Sequence, residues 1–241
     1  MSSTSQVRSR GPAWLDLLQG ATGLALVIFM WFHLMAVSSI LLGKDAMYQV
    51  AKMFEGVPIF GEPKPIIVSI VALGIFALFA AHTLLALRKI PSSYRQYSAY
   101  LRHMRGLRHE ETTLWIVQVV TGLILMWFVT AHLYEMFMHA DEIGPYASAD
   151  RTYGGGWALG LILLLNVEVH GGVGLYRLIV KWGWFGVVDT PQRRRRLRRF
   201  VYGLVAFLIA LGLTTQAAYL RIGYEHRESA GERYHPQQEA G

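Results

Sequence analysis

The chain has 241 residues, 53% of them hydrophobic and only 16% charged, with a formal charge of +7. A soluble domain carries about 25% charged residues, so an ordinary water-soluble fold is disfavoured. The absence of cysteine excludes disulfides, thiolate-held clusters and covalent cofactor attachment through C-x-x-C-H.

Residues 1–13 form a polar tail with Arg8 and Arg10. Its opening, MSSTSQVRSRG, lacks the apolar stretch and small-residue cleavage site of a signal peptide. The first span is therefore expected to stay in the mature protein. Apolar runs long enough to cross a bilayer, which takes about 20 residues, lie at 15–42, 66–87, 113–138, 157–179 and 200–221. The expected fold is all-α, an integral membrane bundle of five transmembrane helices. The first span carries His33, and the segment 43–65 behind it carries Glu55 in KMFEGVPIF. The second span carries His82 and leads into the connection 88–111, with six Lys or Arg. The third carries His132, with Glu135 three residues later. The fourth carries Glu168 and His170. The segment 177–199 then holds eight Lys or Arg, including Arg193, Arg194, Arg195, Arg196, Arg198 and Arg199. The fifth span ends in a polar tail, 223–241.

The charges orient the bundle. The N-terminal tail and the two basic connections hold 16 Lys or Arg, and the other three segments hold seven against ten acids. Basic residues mark the cytoplasmic side, which places the N-terminus inside and the C-terminus outside. The arginine run reads as a topogenic, lipid-facing or subunit-docking patch, and no nucleic-acid partner is expected.

Orientation converts position into depth. His82 lies six residues before Arg88 and His170 seven before Arg177, both about 9–11 Å from the inner boundary. His33 lies eleven residues before Lys44 and His132 nine before Asp141, both about 14–16 Å below the outer boundary. A histidine in lipid is costly and usually faces the bundle interior with a partner. Bundle cores build cofactor sites from facing helices, and imidazole is an axial haem ligand. Matched depths predict two haems b, with His82 and His170 on the inner iron and His33 and His132 on the outer one. The competing reading of each histidine is a hydrogen bond to a neighbouring helix. A compact iron, copper or zinc site would want three or four ligands at one level. A weak repeat at a constant offset pairs Gln19 with Gln118, Thr22 with Thr121, Gly23 with Gly122 and His33 with His132. It is read here as support for the outer pair.

The segments WFHLMAVSSILLG (31–43), AHTLLALRK (81–89), TTLWIVQVVTGL (112–123), AHLY (131–134) and VEVHGGVGLYRLIVKWGWF (167–185) carry a resemblance. They resemble the di-haem cytochrome b subunit of the fumarate reductase and succinate dehydrogenase family, in its class with one five-helix membrane subunit working with menaquinone. The resemblance implies a bacterial cytoplasmic (inner) membrane, a flavoprotein subunit and an iron–sulfur subunit on the cytoplasmic side, and a dimer of the whole complex. It implies that Glu55 serves the quinol site and Glu168 a proton path. It implies that Gln19, Trp115 and Lys181 surround the propionates of the inner haem. The ordinary readings are a loop carboxylate for Glu55, a helix-tying hydrogen bond for Glu168, and snorkelling past a helix end for Lys181. Two further functions stay open, a cytochrome b subunit of a hydrogenase or formate dehydrogenase, and a proton-coupled transporter.

Overall fold

A computed structural model describes residues 11–90 and 110–236, with positions 93, 95, 98 and 102 between them. Arg8, Arg10, Arg105, Arg108 and residues 237–241 lie outside the described set. The described residues form helices and no strand. Five helices are long and apolar enough to cross a membrane. Helices suit this setting because lipid offers backbone groups no hydrogen bonds, so each segment must satisfy its own.

Helix α1 (Gly11–Val37) tightens into a 3₁₀ turn at Ser38–Leu42. Two shorter helices, α2 (Lys44–Phe54) and α3 (Val57–Phe60), follow at the end of the bundle that the charge pattern predicts to be outer, the opposite end being called inner. Helix α4 is Ile66–Leu87 and α5 is Glu110–Met138. A short helix, α6 (Pro145–Arg151), joins through a π turn to α7 (Trp157–Trp182). Helix α8 is Pro191–His226.

The packing places the site. Helix α1 touches α4, α4 touches α5, α5 touches α7, and α7 returns to α1. These four helices close a ring, and each carries one of the four histidines. Helix α8 packs outside the ring, mainly on α7 and α6. A methyl at Gly172 of α7 would meet Val205, and one at Gly212 of α8 would meet Leu164. Small residues thus let these two backbones approach closely. Buried Leu114, Val173, Tyr176 and Val201 join α5, α7 and α8. A second cluster, Ile40, Met47, Ala149 and Tyr219, closes the outer end.

Two helix ends differ from the sequence expectation. Helix α7 runs to Trp182, so Lys181 lies in its last turn rather than past it. Gly183, at φ 65°, supplies the left-handed stop. Helix α8 begins at Pro191, because Thr190 Oγ1 accepts from Arg193 N at 3.3 Å and proline suits the first turn. The arginine run is therefore helical. At 36 residues and about 1.5 Å each, α8 outreaches the roughly 30 Å hydrocarbon layer.

The polar C-terminal segment also has a place. His226 is the last residue of α8 and pairs with Asp150 at 2.9 Å. Asp150 also accepts from Gly231 N, Arg233 pairs with Asp141, and the Tyr234 hydroxyl donates to Asp45 at 2.6 Å. That hydrogen bond, with partial burial, pushes the Tyr234 phenol up to about 12. Residues 226–234 thus strap α2 and α6 together on the outer side.

Candidate functional site

The four histidines meet in two facing pairs. The rings of His82 (α4) and His170 (α7) have centroids 6.5 Å apart and planes at 88°. Those of His33 (α1) and His132 (α5) lie 6.2 Å apart at 63°. Two imidazole nitrogens each about 2 Å from one metal would set their ring centroids about 6 Å apart. Both pairs therefore have the span of a bis-histidine metal site. Among the described residues, no three His, Cys, Asp or Glu converge as a metal-ion site.

The inner pair is supported from the N-terminal halves of α1 and α5. Thr22 Oγ1 lies 3.1 Å from His82 Nδ1, and Thr121 Oγ1 lies 3.0 Å from His170 Nδ1. A Cβ on Gly23 would sit 2.8 Å from His82 Cε1, and one on Gly122 would sit 3.1 Å from His170 Cε1. Both rings thus lie flush against glycine backbone. His33 belongs to a different level, eleven residues beyond Thr22 and about 16 Å along α1. Its ring stacks on Phe29, with centroids 5.8 Å apart.

One continuous cavity of about 970 Å³ contains both pairs. That is at the upper end of ligand-pocket volumes, about 300–1,000 Å³. Its walls are mainly apolar, with polar groups at the histidines, at Glu168 and at the two ends. Gln19, Trp115 and Lys181 all line it at the inner end, with Arg177 and Asp16. Gln19 Oε1 is buried there without a partner. Arg177 donates to Gln118 Oε1 at 2.6 Å. Asp16 accepts from Arg88, Lys89 and Lys181 at 2.9, 2.9 and 3.1 Å. At the outer end Arg151 pairs with Glu135 at 3.2 Å, and both line the cavity. Facing imidazoles, glycine cradles, an apolar wall and charged ends fit a pair of flat, propionate-bearing macrocycles.

The two singled-out carboxylates lie apart. Glu168 is 2% exposed, lines the cavity, and accepts from the Trp31 indole N–H at 3.2 Å. Glu55 is 1% exposed and caps the C-terminus of α2. Lys52 Nζ donates to both its carboxylate oxygens, at 2.8 and 2.7 Å. Glu55 is not part of the cavity wall, although Ala51 and Phe54 of the same helix are.

The model of the succinate dehydrogenase/fumarate reductase transmembrane subunit family matches residues 91–212. The chain is 46% identical over 222 residues to the fumarate reductase cytochrome b subunit of Wolinella succinogenes, spanning 92% of this chain and 87% of that one. It is 44% identical over 218 residues to the subunit of the same name from Helicobacter pylori, spanning 90% and 84%. The chain belongs to this transmembrane subunit family. Family and helices together make it a multi-pass membrane protein.

The repeat serves the inner histidine pair as well as the outer one. Its first half, Gln–Thr–Gly on α1 and α5, contacts the inner histidines, and only its second half supplies the outer ones. Helical spacing gives the face that Thr22 and Thr121 share with His33 and His132 but not the neighbour across it, so their contact with the inner histidines is not legible in the sequence. Asp16 is a residue of the site that the sequence reading does not single out. Its signal was a lone carboxylate level with two basic helix ends. Trp31, the partner of Glu168, carries no signal beyond an aromatic residue in a span.

Proposed function

We propose that the chain is the di-haem cytochrome b subunit of a menaquinol:fumarate reductase (succinate:quinone oxidoreductase) in a bacterial cytoplasmic membrane. It would anchor a flavoprotein and an iron–sulfur subunit on the inner side and pass electrons between menaquinol near the outer side and the iron–sulfur subunit. The observation that carries this is the two facing histidine pairs in one cavity. Relatives 43–46% identical to the chain, each a fumarate reductase cytochrome b subunit, support it.

Haem, when bound, would supply one-electron carriage. The protein's residues do the rest. His82 and His170 would hold the inner group, and His33 and His132 the outer one. Gln19, Trp115 and Lys181 receive the polar edge of the inner group, with Asp16 orienting the Lys181 ammonium. Glu55 accepts a proton from the quinol hydroxyl, a general base needing a titratable group within hydrogen-bond reach. Lys52 holds that carboxylate by both oxygens. Glu168 provides a protonatable group inside the span, as expected of a proton path.

Redox titration of the visible spectrum in four single histidine variants tests the core of this reading. Loss of one component in both His82 and His170 variants, and of the other in both His33 and His132 variants, is the expected result. Loss of the same component from His33 and His82 variants would break the pairing. For Glu55→Gln, both haems and dye-driven fumarate reduction should persist while menaquinol oxidation is lost. Retained quinol activity would return Glu55 to a structural carboxylate.

A further inference from the structure

The histidines of the inner pair have hydroxyl partners, whereas no side-chain hydrogen bond reaches His33 or His132 among the described residues. The Thr22 hydroxyl proton is committed to its own helix, to Leu18 O at 2.8 Å with Gln19 O at 3.1 Å. Thr121 does the same toward Val117 O at 2.7 Å and Gln118 O at 3.3 Å. A hydroxyl carries one proton and two acceptor sites. With its proton spent on the backbone, each threonine can only accept from the imidazole. Each ring can then donate Nδ1–H to Oγ1, shared with the backbone carbonyl of Gln19 at His82 and of Gln118 at His170, a tautomer that leaves both Nε2 lone pairs free. Each ring also lies against a glycine, so it has little room to turn.

We propose that Thr22 and Thr121 are positioning residues of the inner site. They fix the tautomer of His82 and His170, hold their planes near a right angle, and lower the potential of the metal between them. This rests on the di-haem reading above. An acceptor on the distal N–H raises the basicity of the ligating nitrogen. That favours the oxidised iron, so the potential falls. Backbone-bonded hydroxyls reinforce the effect, since chained hydrogen bonds polarise one another. Among the described residues the outer pair receives no such hydroxyl, so one ligand type gives two different irons through the groups behind the imidazoles. Because Thr22 and Thr121 reach the site from opposite helices, the two substitutions should act in the same direction.

The test uses the purified complex. Thr22→Val keeps the shape of the side chain and removes the acceptor, while Thr22→Ser keeps the acceptor. The same pair is made at position 121. The valine variants should raise the potential of the inner component, leave the outer one unchanged, and alter the inner low-spin ferric resonance, which depends on the angle between imidazole planes. The serine variants should restore both readouts. Unchanged inner potential and resonance in the valine variants, with haem fully bound, would overturn the proposal. If valine empties the inner site, serine decides: a filled site with the parental potential supports the hydroxyl, and an empty one assigns the effect to packing and overturns it. A His82 variant that keeps both spectral components would instead defeat the di-haem reading, independently of the threonines.

Discussion

At the scale of single residues, the site is built by close approach. Gly23 and Gly122 stand where the rings of His82 and His170 touch helix backbone, and the two contacts differ in tightness, 2.8 against 3.1 Å for an added Cβ. Gly23→Ala must push the His82 ring off its threonine, since few real Cβ contacts are that short. Loss or displacement of the inner spectral component is expected in Gly23→Ala, and a smaller change in Gly122→Ala. Gly74 on α4 has open space around it, so Gly74→Ala should leave the spectrum intact and favour the helix by about 1 kcal/mol. Equal spectra for all three variants would show that the glycines do not shape the site. Charge follows a similar logic at Glu55, which is 1% exposed and depends on Lys52. Removing one partner of a buried pair costs about 3–5 kcal/mol. Lys52 is itself 24% exposed, which places Lys52→Met toward the lower end. Thermal unfolding in detergent should show a clear loss there and little for Lys64→Met, whose partner Glu62 is 69% exposed.

At the scale of elements, the ring of four helices explains what could be read from the sequence. Apolar runs of bilayer length and a single histidine in each of four are local facts, so the five helices and the ligand candidates were legible. What crosses between helices was not. His226 meets Asp150, Trp31 meets Glu168, and Thr215 meets Ser38 over separations of 76, 137 and 177 residues. No spacing rule reports such pairs. Helices also run past the apolar spans: hydropathy marks where lipid stops, whereas the backbone stays helical until Gly183 or Thr190 intervenes. The join between α8 and α1 offers a measurable case. Thr215 Oγ1 donates to Ser38 Oγ at 2.9 Å, and the Tyr219 hydroxyl donates to Val37 O where α1 tightens. Such bonds between membrane helices average about 0.6 kcal/mol. Thr215→Val should therefore lower stability by about that amount and keep both spectral components. A loss above about 3 kcal/mol would mean that this contact organises the outer end of the bundle rather than trimming it.

At the scale of the molecule, charge separates the two ends. The inner end gathers Arg88, Lys89 and Lys181 around Asp16, and then the arginine-rich start of α8. Those arginines do not serve the helix itself. The N-terminus of a helix carries the positive end of its dipole, so cations there are mildly unfavourable. At Arg194, Arg195, Arg196 and Arg199 that cost fits a partner outside the chain, either anionic lipid or another subunit. Arg193 and Arg198 have partners within the chain, and the Arg193 guanidinium donates to Gly186 O at 3.0 Å, tying the connection to the helix. Arg195, Arg196 and Arg199 are exposed, and Arg194 is partly so. The informative variant therefore spares Arg193 and replaces Arg194, Arg195 and Arg196 with glutamine. If this face docks the iron–sulfur subunit, the variant complex should lose that subunit during purification, and lose more as salt rises. The Debye length falls from about 10 Å at 0.1 M to about 3 Å at 1 M, so exposed contacts are screened first. Haem content should not change, because none of the three arginines lines the cavity. Full retention at both salt levels, with normal insertion, would assign the run to topology and lipid alone.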